Sequence, residues 1–229
     1  MVNNDQYDIL LDLVKKRRTI RQFKPDPVPD EYITRIIEVA RWAPSGFHTQ
    51  PWEFVVIKNA EIKNQIVAAM EQLGPPIKDP AKKDLKRRSY KDAPVFILAL
   101  CDWRAKVGLP GNTPEDPERV MRLYTSSMAN AFLYMHLAAT ALGLASQWYT
   151  ATSSKEAETA IKKILGIPES LTIYDMMVVG YGDNPPIKKI VRDLDEMVHY
   201  DNCGVKDFRT DEEVKTYAQI TKAWCLSGH

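Results

Sequence analysis

Residues 120–142 constrain the fold of this chain more than any other stretch. Met121, Tyr124, Met128, Ala131, Phe132, Met135, Leu137, Ala138, Ala141 and Leu142 recur at helical spacing and leave little polar surface. A helix that is apolar nearly all round has to be enclosed by other elements. In a chain of 229 residues this makes it a central helix, with surface to spare for a subunit interface. Gly143 ends it.

The covering elements are legible on either side. In residues 7–16, Ile9, Leu10, Leu13 and Val14 share one face of an amphipathic helix. Pro25, Pro27 and Pro29 then bar regular structure. Asp30 is the expected N-cap of a helix carrying Tyr32, Ile33, Ile36, Ile37, Val39 and Ala40, which Pro44 breaks. Residues 54–57 read as a short buried strand, 60–73 as a helix and 74–80 as a proline-rich break. The basic stretch 81–91 reads as a solvated helix face. The apolar run 95–100 reads as a central strand, and the glycine- and proline-rich segment 108–117 as a functional or dimer-wrapping loop. Residues 153–156 carry a capping-box pattern opening a helix that stops at Gly166. Residues 176–182 read as a last core strand, and 201–229 as a polar tail that docks on a partner or wanders. No repeat or linker divides the chain, so one domain is expected over 1–229, with a core of about 7–200. Strands and helices mix without regular βαβ alternation, which favours an α+β fold.

Much chemistry is excluded. A net charge of +1 argues against nucleic-acid binding by bulk electrostatics, so an anion site must be local. Cys101, Cys203 and Cys225 lie far apart, which argues for a reducing compartment and against a zinc site. With a polar start and no membrane-length apolar run, a cytoplasmic protein with no membrane partner is expected. His136 falls in the apolar helix and reads as a satisfied core histidine, whereas His199, Asp201 and Cys203 read as a surface turn. The common nucleotide, metalloprotease and hydrolase motifs are missing.

Two segments stand out against this background. The first contains Arg17, Arg18, Thr19 and Arg21; the second is Ala-Pro-Ser-Gly-Phe-His-Thr-Gln-Pro-Trp over residues 43–52. Together they offer fixed positive charge, planar donor forks and close backbone approach, which suit a phosphate-bearing ligand. A cation cluster without an acid–base or metal set needs an organic cofactor, and a flavin fits: an apolar ring, a polar chain and one phosphate.

The order of these motifs resembles the FMN-dependent nitroreductase family. Ala93-Pro94, Gly143-Leu144, Gly166-Ile167-Pro168 and Val179-Gly180-Tyr181-Gly182 extend the resemblance over roughly residues 7–200. The resemblance implies a central, mostly antiparallel sheet flanked by helices in an intertwined homodimer, with FMN at the interface. Arg17, Arg18, Thr19 and Arg21 would meet the phosphate, the ribityl chain and the N1/O2 edge. Pro44, Ser45, Gly46, His48 and Gln50 would come from the facing subunit, with His48 at a position often held by Asn. Trp148, Tyr149 and Thr150 would lie near N5, with Thr150 as the catalytic contact. Lys188, Lys189 and Arg192 compete for the phosphate, and Lys189 and Arg192 are carried as binding residues. NADH or NADPH would supply electrons for ping-pong reduction of a nitroaromatic, quinone or related aromatic electron acceptor. Phe47, Trp103, Trp148 and Tyr149 are candidates for its pocket wall. The string Pro-Ser-Gly-x-His-Thr-x-Pro-Trp is also similar to the iodotyrosine deiodinase branch, which implies flavin-dependent reductive dehalogenation as the alternative. That branch's lid would fall in residues 70–91.

Overall fold

The computed structural model describes residues 4–73, 90–183 and 189–226. The chain divides into two compact units, Met1–Asn184 and Pro185–His229.

The first unit opens with α1 (Asn4–Lys16) and α2 (Asp30–Arg41), followed by β1 (Trp52–Ile57), α3 (Ala60–Leu73) and β2 (Val95–Asp102). It continues through the long α4 (Pro117–Ala141), β3 (Ala145–Tyr149), α5 (Lys155–Leu165) and β4 (Leu171–Gly180). The strands form one sheet in the order β1-β2-β4-β3 with every pairing antiparallel. This is the expected α+β architecture.

β2 explains why both faces of the sheet are dry. Val95, Ile97, Ala99 and Cys101 pack with Ile36, Tyr124, Met128, Phe132 and Met135 of α2 and α4. The alternate residues Phe96, Leu98 and Leu100 pack with Ile66, Met70, Ala157 and Ile161 of α3 and α5. A strand buried on both faces reads as an unbroken apolar run, as this one does.

Several boundaries differ from the sequence expectation. Pro29, not Asp30, occupies the cap position of α2; Asp30 is its first residue and pairs with Lys58. Proline's fixed φ suits that place. Ser154 caps α5 by accepting from Ala157 N at 3.2 Å, one residue later than the capping-box reading. β4 begins at Leu171, five residues before the expected strand. β3 was not anticipated, because Ala-Ser-Gln-Trp-Tyr neither alternates nor runs apolar. Residues 108–117 are not an open loop: Trp103–Gly108 and Thr113–Glu115 are 3-10 turns, and Leu109 and Thr113 are buried. Most of the basic stretch, and of the expected deiodinase-type lid, falls in residues 74–89, outside the described residues.

Within one chain α4 is not enclosed all round. Met121 is 60% and Leu133 43% exposed. The apolar face of α1 is also uncovered, with Ile9 68% and Leu10 54% exposed.

The second unit, described by itself, holds α6 (Asp211–Leu226). Thr210 and Glu213 start that helix with a reciprocal cap: Thr210 N donates to Glu213 Oε2 at 2.7 Å and Glu213 N to Thr210 Oγ1 at 3.3 Å. The tail therefore contains a capped helix, a signal present in the sequence and not read there. Arg192 lies in this unit and binds Glu196 through Nε at 3.2 Å; Lys189 is half-buried.

Candidate functional site

The Arg17 segment leaves the end of α1 and runs beside β3. Thr19 forms a parallel bridge with Ser146, and Ile20 N donates to Ser146 O at 3.0 Å. β3 is an outer strand of the sheet, so these bonds satisfy part of its free edge. They also bring the first motif next to the strand carrying Trp148 and Tyr149, with Thr150 directly after its end. Arg18 folds back, donating to Lys15 O and, at 3.0 Å, to Arg17 O. Arg17 is half-buried and forms no ion pair with a carboxylate among the described residues. Burial, with Arg18 beside it, lowers its pKa from the ordinary guanidinium value. A partly desolvated cation of this kind gains most from an incoming anion. Arg21 is exposed and Thr19 half-buried.

The second motif is anchored elsewhere, on the first half of α4. Gly46 N donates to Ser127 Oγ at 3.0 Å, and Asn130 Nδ2 donates to Pro44 O at 3.1 Å. A Cβ on Gly46 would lie 3.2 Å from Leu123, so glycine lets this loop sit close on the helix. The loop is strained: Phe47, His48 and Gln50 have φ of 51°, 57° and 45°. Left-handed backbone costs a non-glycine residue roughly 1–2 kcal/mol. Side chains hold the conformation, with Gln50 N donating to Ser45 Oγ at 3.0 Å and Gln50 Nε2 donating to His48 Nε2 at 2.8 Å. The anchor at Ser127 and the His136 level of α4, which meets β3, are separated by about 14 Å at 1.5 Å per residue. One chain thus presents the two motifs at separate places.

Behind Trp148 lies an aromatic stack. His136 Nδ1 and Ser146 Oγ are hydrogen-bonded at 2.7 Å. The imidazole stacks on Trp148 at 5.5 Å and 9°, and Phe132 meets Trp148 edge-on at 4.6 Å. His136 Nε2 is buried with no hydrogen-bond partner among the described residues, so this histidine is only half satisfied. Burial, with the Arg17 charge adding to it, pushes its pKa down to about 3 and keeps the ring neutral. Tyr149, the next residue in the strand, faces the other side of the sheet and packs on Tyr90 at 4.3 Å. Trp148 and Tyr149 therefore cannot line one pocket wall with their side chains.

The indole nitrogen of Trp148 donates to Asp175 Oδ2 at 2.6 Å. Asp175 is 7% exposed, and burial lifts its carboxyl to about 6, although the Trp148 bond pulls the other way. It faces a cleft of about 370 Å³ lined also by Cys101, Trp103, Tyr124, Thr150 and Tyr174. Trp103 donates its indole N–H to Thr172 Oγ1 at 2.8 Å and stacks on Tyr124 at 5.5 Å. Phe47 stands exposed on its own loop. Of the expected flavin contacts Thr150 lines this cleft, and its carbonyl accepts from Ser153 Oγ at 2.8 Å. Sequence reading missed Asp175 and Tyr174. The signal was one acid interrupting an apolar strand, Ile173-Tyr174-Asp175-Met176-Met177. No metal-binding group of His, Cys, Asp and Glu occurs among the described residues, and none of their helices is long and apolar enough to cross a membrane.

Residues 14–181 match the model of the Nitroreductase family. An iodotyrosine deiodinase of Thermotoga neapolitana is 30% identical over 191 residues, covering 79% of this chain and 92% of that protein. Two solved structures share the fold. A nitroreductase with bound FMN from Desulfitobacterium hafniense superposes with a TM-score of 0.64 at 23% identity, over 83% of this chain and 97% of its own. The NADPH:FMN oxidoreductase of Vibrio harveyi gives 0.69 at 17%, over 93% and 85%.

Proposed function

This chain belongs to the nitroreductase family, and from that membership we propose that it is an FMN-dependent oxidoreductase that takes electrons from NADH or NADPH and reduces a flat, electrophilic aromatic such as a nitroaromatic or quinone. The observation that carries the reading is Arg17: a half-buried guanidinium, without a carboxylate partner among the described residues, held beside Thr19 and β3. That cradle fits a phosphate. FMN, when bound, supplies the hydride-accepting ring and passes electrons on in a second half-reaction.

The chain's own residues divide the remaining work. Arg17, Arg18 and Thr19 hold the phosphate end, and Arg21 offers positive charge to the N1/O2 edge, where it stabilises developing negative charge. Thr150 lines the cleft and offers its hydroxyl as the contact near N5. Pro44, Ser45, Gly46, His48 and Gln50 act from the second subunit of a homodimer. Their anchoring on α4, about 14 Å from the β3 level, is why one chain alone does not complete the site. The deciding experiment is an anaerobic absorbance titration of the purified yellow protein with NADH and then NADPH. Bleaching of the flavin band by either supports the reading; a flavin band inert to both removes it.

A second reading is flavin-dependent reductive dehalogenation. It is favoured by the 30% identity to the Thermotoga neapolitana protein over nearly that protein's whole length, and by the resemblance of the Pro-Ser-Gly-x-His-Thr-x-Pro-Trp string to the deiodinase branch. Halide release from a halotyrosine with dithionite-reduced protein tests it, and no release sinks it.

A further inference from the structure

The cleft beside Thr150 combines features the proposed chemistry does not use. Asp175 is a buried carboxylate with no lysine, arginine or histidine paired to it among the described residues. Among the described residues its side chain accepts a hydrogen bond from a neutral indole at 2.6 Å. None of the described residues lining the cleft is basic. Trp103, Tyr124 and Tyr174 surround the acid with aromatic surface, and Met128 adds a polarizable thioether. The backbone is shaped to give this arrangement. Ala99 pairs with Asp175 but Leu100 pairs with Ile173, so Tyr174 is the extra residue of a β-bulge. Regular alternation would send Tyr174 to the opposite face from Asp175. The bulge puts both on the α4 side, where Tyr174 meets Phe132 at 5.8 Å, and sends Ile173 to the other core.

We propose that this cleft binds a small aromatic molecule carrying an alkylammonium group, with Asp175 as the counter-ion and Trp103, Tyr124 and Tyr174 as the walls. A carboxylate buried without a cation is costly, and an ammonium removes that cost while the rings contribute cation–π attraction. Among the described lining residues the charge pattern is a single carboxylate: a simple arylalkylamine is matched, whereas the carboxylate of an amino acid would meet no cation there. The binding site stands on the geometry alone. Its role as the seat of the electron acceptor rests on the flavin reading, through Thr150.

The other titratable groups facing the cleft do not change charge near neutrality. Burial pushes Cys101 and Tyr174 up to about 12 and raises Tyr124, and His136 behind Trp148 stays neutral. Asp175 is thus the group that switches the site as the pH falls through about 6.

Isothermal titration calorimetry on the FMN-loaded protein tests this with four probes of one size: 2-phenylethylamine, 2-phenylethanol, 3-phenylpropionate and phenylalanine. The amine is expected to bind at least about tenfold tighter than the other three, as one charge-assisted contact implies. Its affinity should fall as the pH drops below about 6. D175N should bring amine and alcohol within about twofold of each other. Should D175N fail to fold, T125K at the exposed rim supplies an internal ammonium and should abolish the preference. Equal binding of amine and alcohol, or a preference that survives D175N or T125K, overturns the proposal. The flavin reading fails separately. A protein that never turns yellow but prefers the amine loses the flavin reading and keeps the site. A yellow protein bleached by NADH that ignores the amine loses the site and keeps the reading.

Discussion

Two buried residues give this protein opposing pH dependences. The folded pKa of His136, about 3, lies below its ordinary value of 6.5, so the fold favours the neutral ring. That contribution is present above about pH 6.5 and is lost as the pH falls from there towards 3, on the order of a few kcal/mol. H136F should flatten this acid limb, read as the urea midpoint against pH. Asp175 behaves in the reverse sense. Its folded pKa of about 6 lies above 3.8, so keeping it ionised above pH 6 costs stability, and the cost vanishes below 3.8. D175N keeps an acceptor for the Trp148 N–H and should therefore stabilise the protein by about 2 kcal/mol at pH 8 and not at all at pH 3. A thermal melt of the variant at both values checks the sign. Both residues are polar groups in apolar runs of the sequence; only the structure shows that, among the described residues, one is half satisfied and the other has no cation beside it.

At the scale of elements, Gly180 at the end of β4 leaves no room for a Cβ. A Cβ on Gly180 would stand 2.5 Å from Pro94 Cδ and 3.3 Å from Phe23 Cδ1. G180A should cost about 2–3 kcal/mol, as overpacking against a rigid ring does, seen as a lower urea midpoint. Pro94→Ala removes the obstructing atom, so the double variant should recover part of that loss. The Gly180 neighbourhood was legible as a landmark string, but the reason for its glycine was not. β3 and the bulge at Tyr174 were not legible either. Each depends on which strand lies alongside, and no local pattern in Ala-Ser-Gln-Trp-Tyr or in an apolar run reports that.

For the whole molecule, the uncovered apolar faces of α1 and α4 are surfaces that a second copy of the chain would bury in the proposed homodimer. Sedimentation at working concentration should give twice 26.1 kDa. Ile9→Glu, on the exposed apolar face of α1, should shift the protein towards the monomer and release flavin with it, because the expected site draws on both chains. Arg17→Ala should lose flavin in ultrafiltration while the dimer mass stays unchanged. The two variants separate cofactor grip from assembly. By itself the sequence determined the periodic helices, the doubly buried strand β2 and the two polar segments that point to a phosphate-bearing cofactor. These are local signals: spacing sets which face is apolar, and proline and glycine set where an element stops. Tertiary structure alone decided that the Arg17 segment lies along β3, that the 43–52 loop sits on α4, and that Trp148 and Tyr149 part to opposite faces. It also decided that Asp175 and Tyr174 share a cleft. Each is a matter of register between segments far apart in the chain, fixed by the burial of both sheet faces and invisible to any window of sequence.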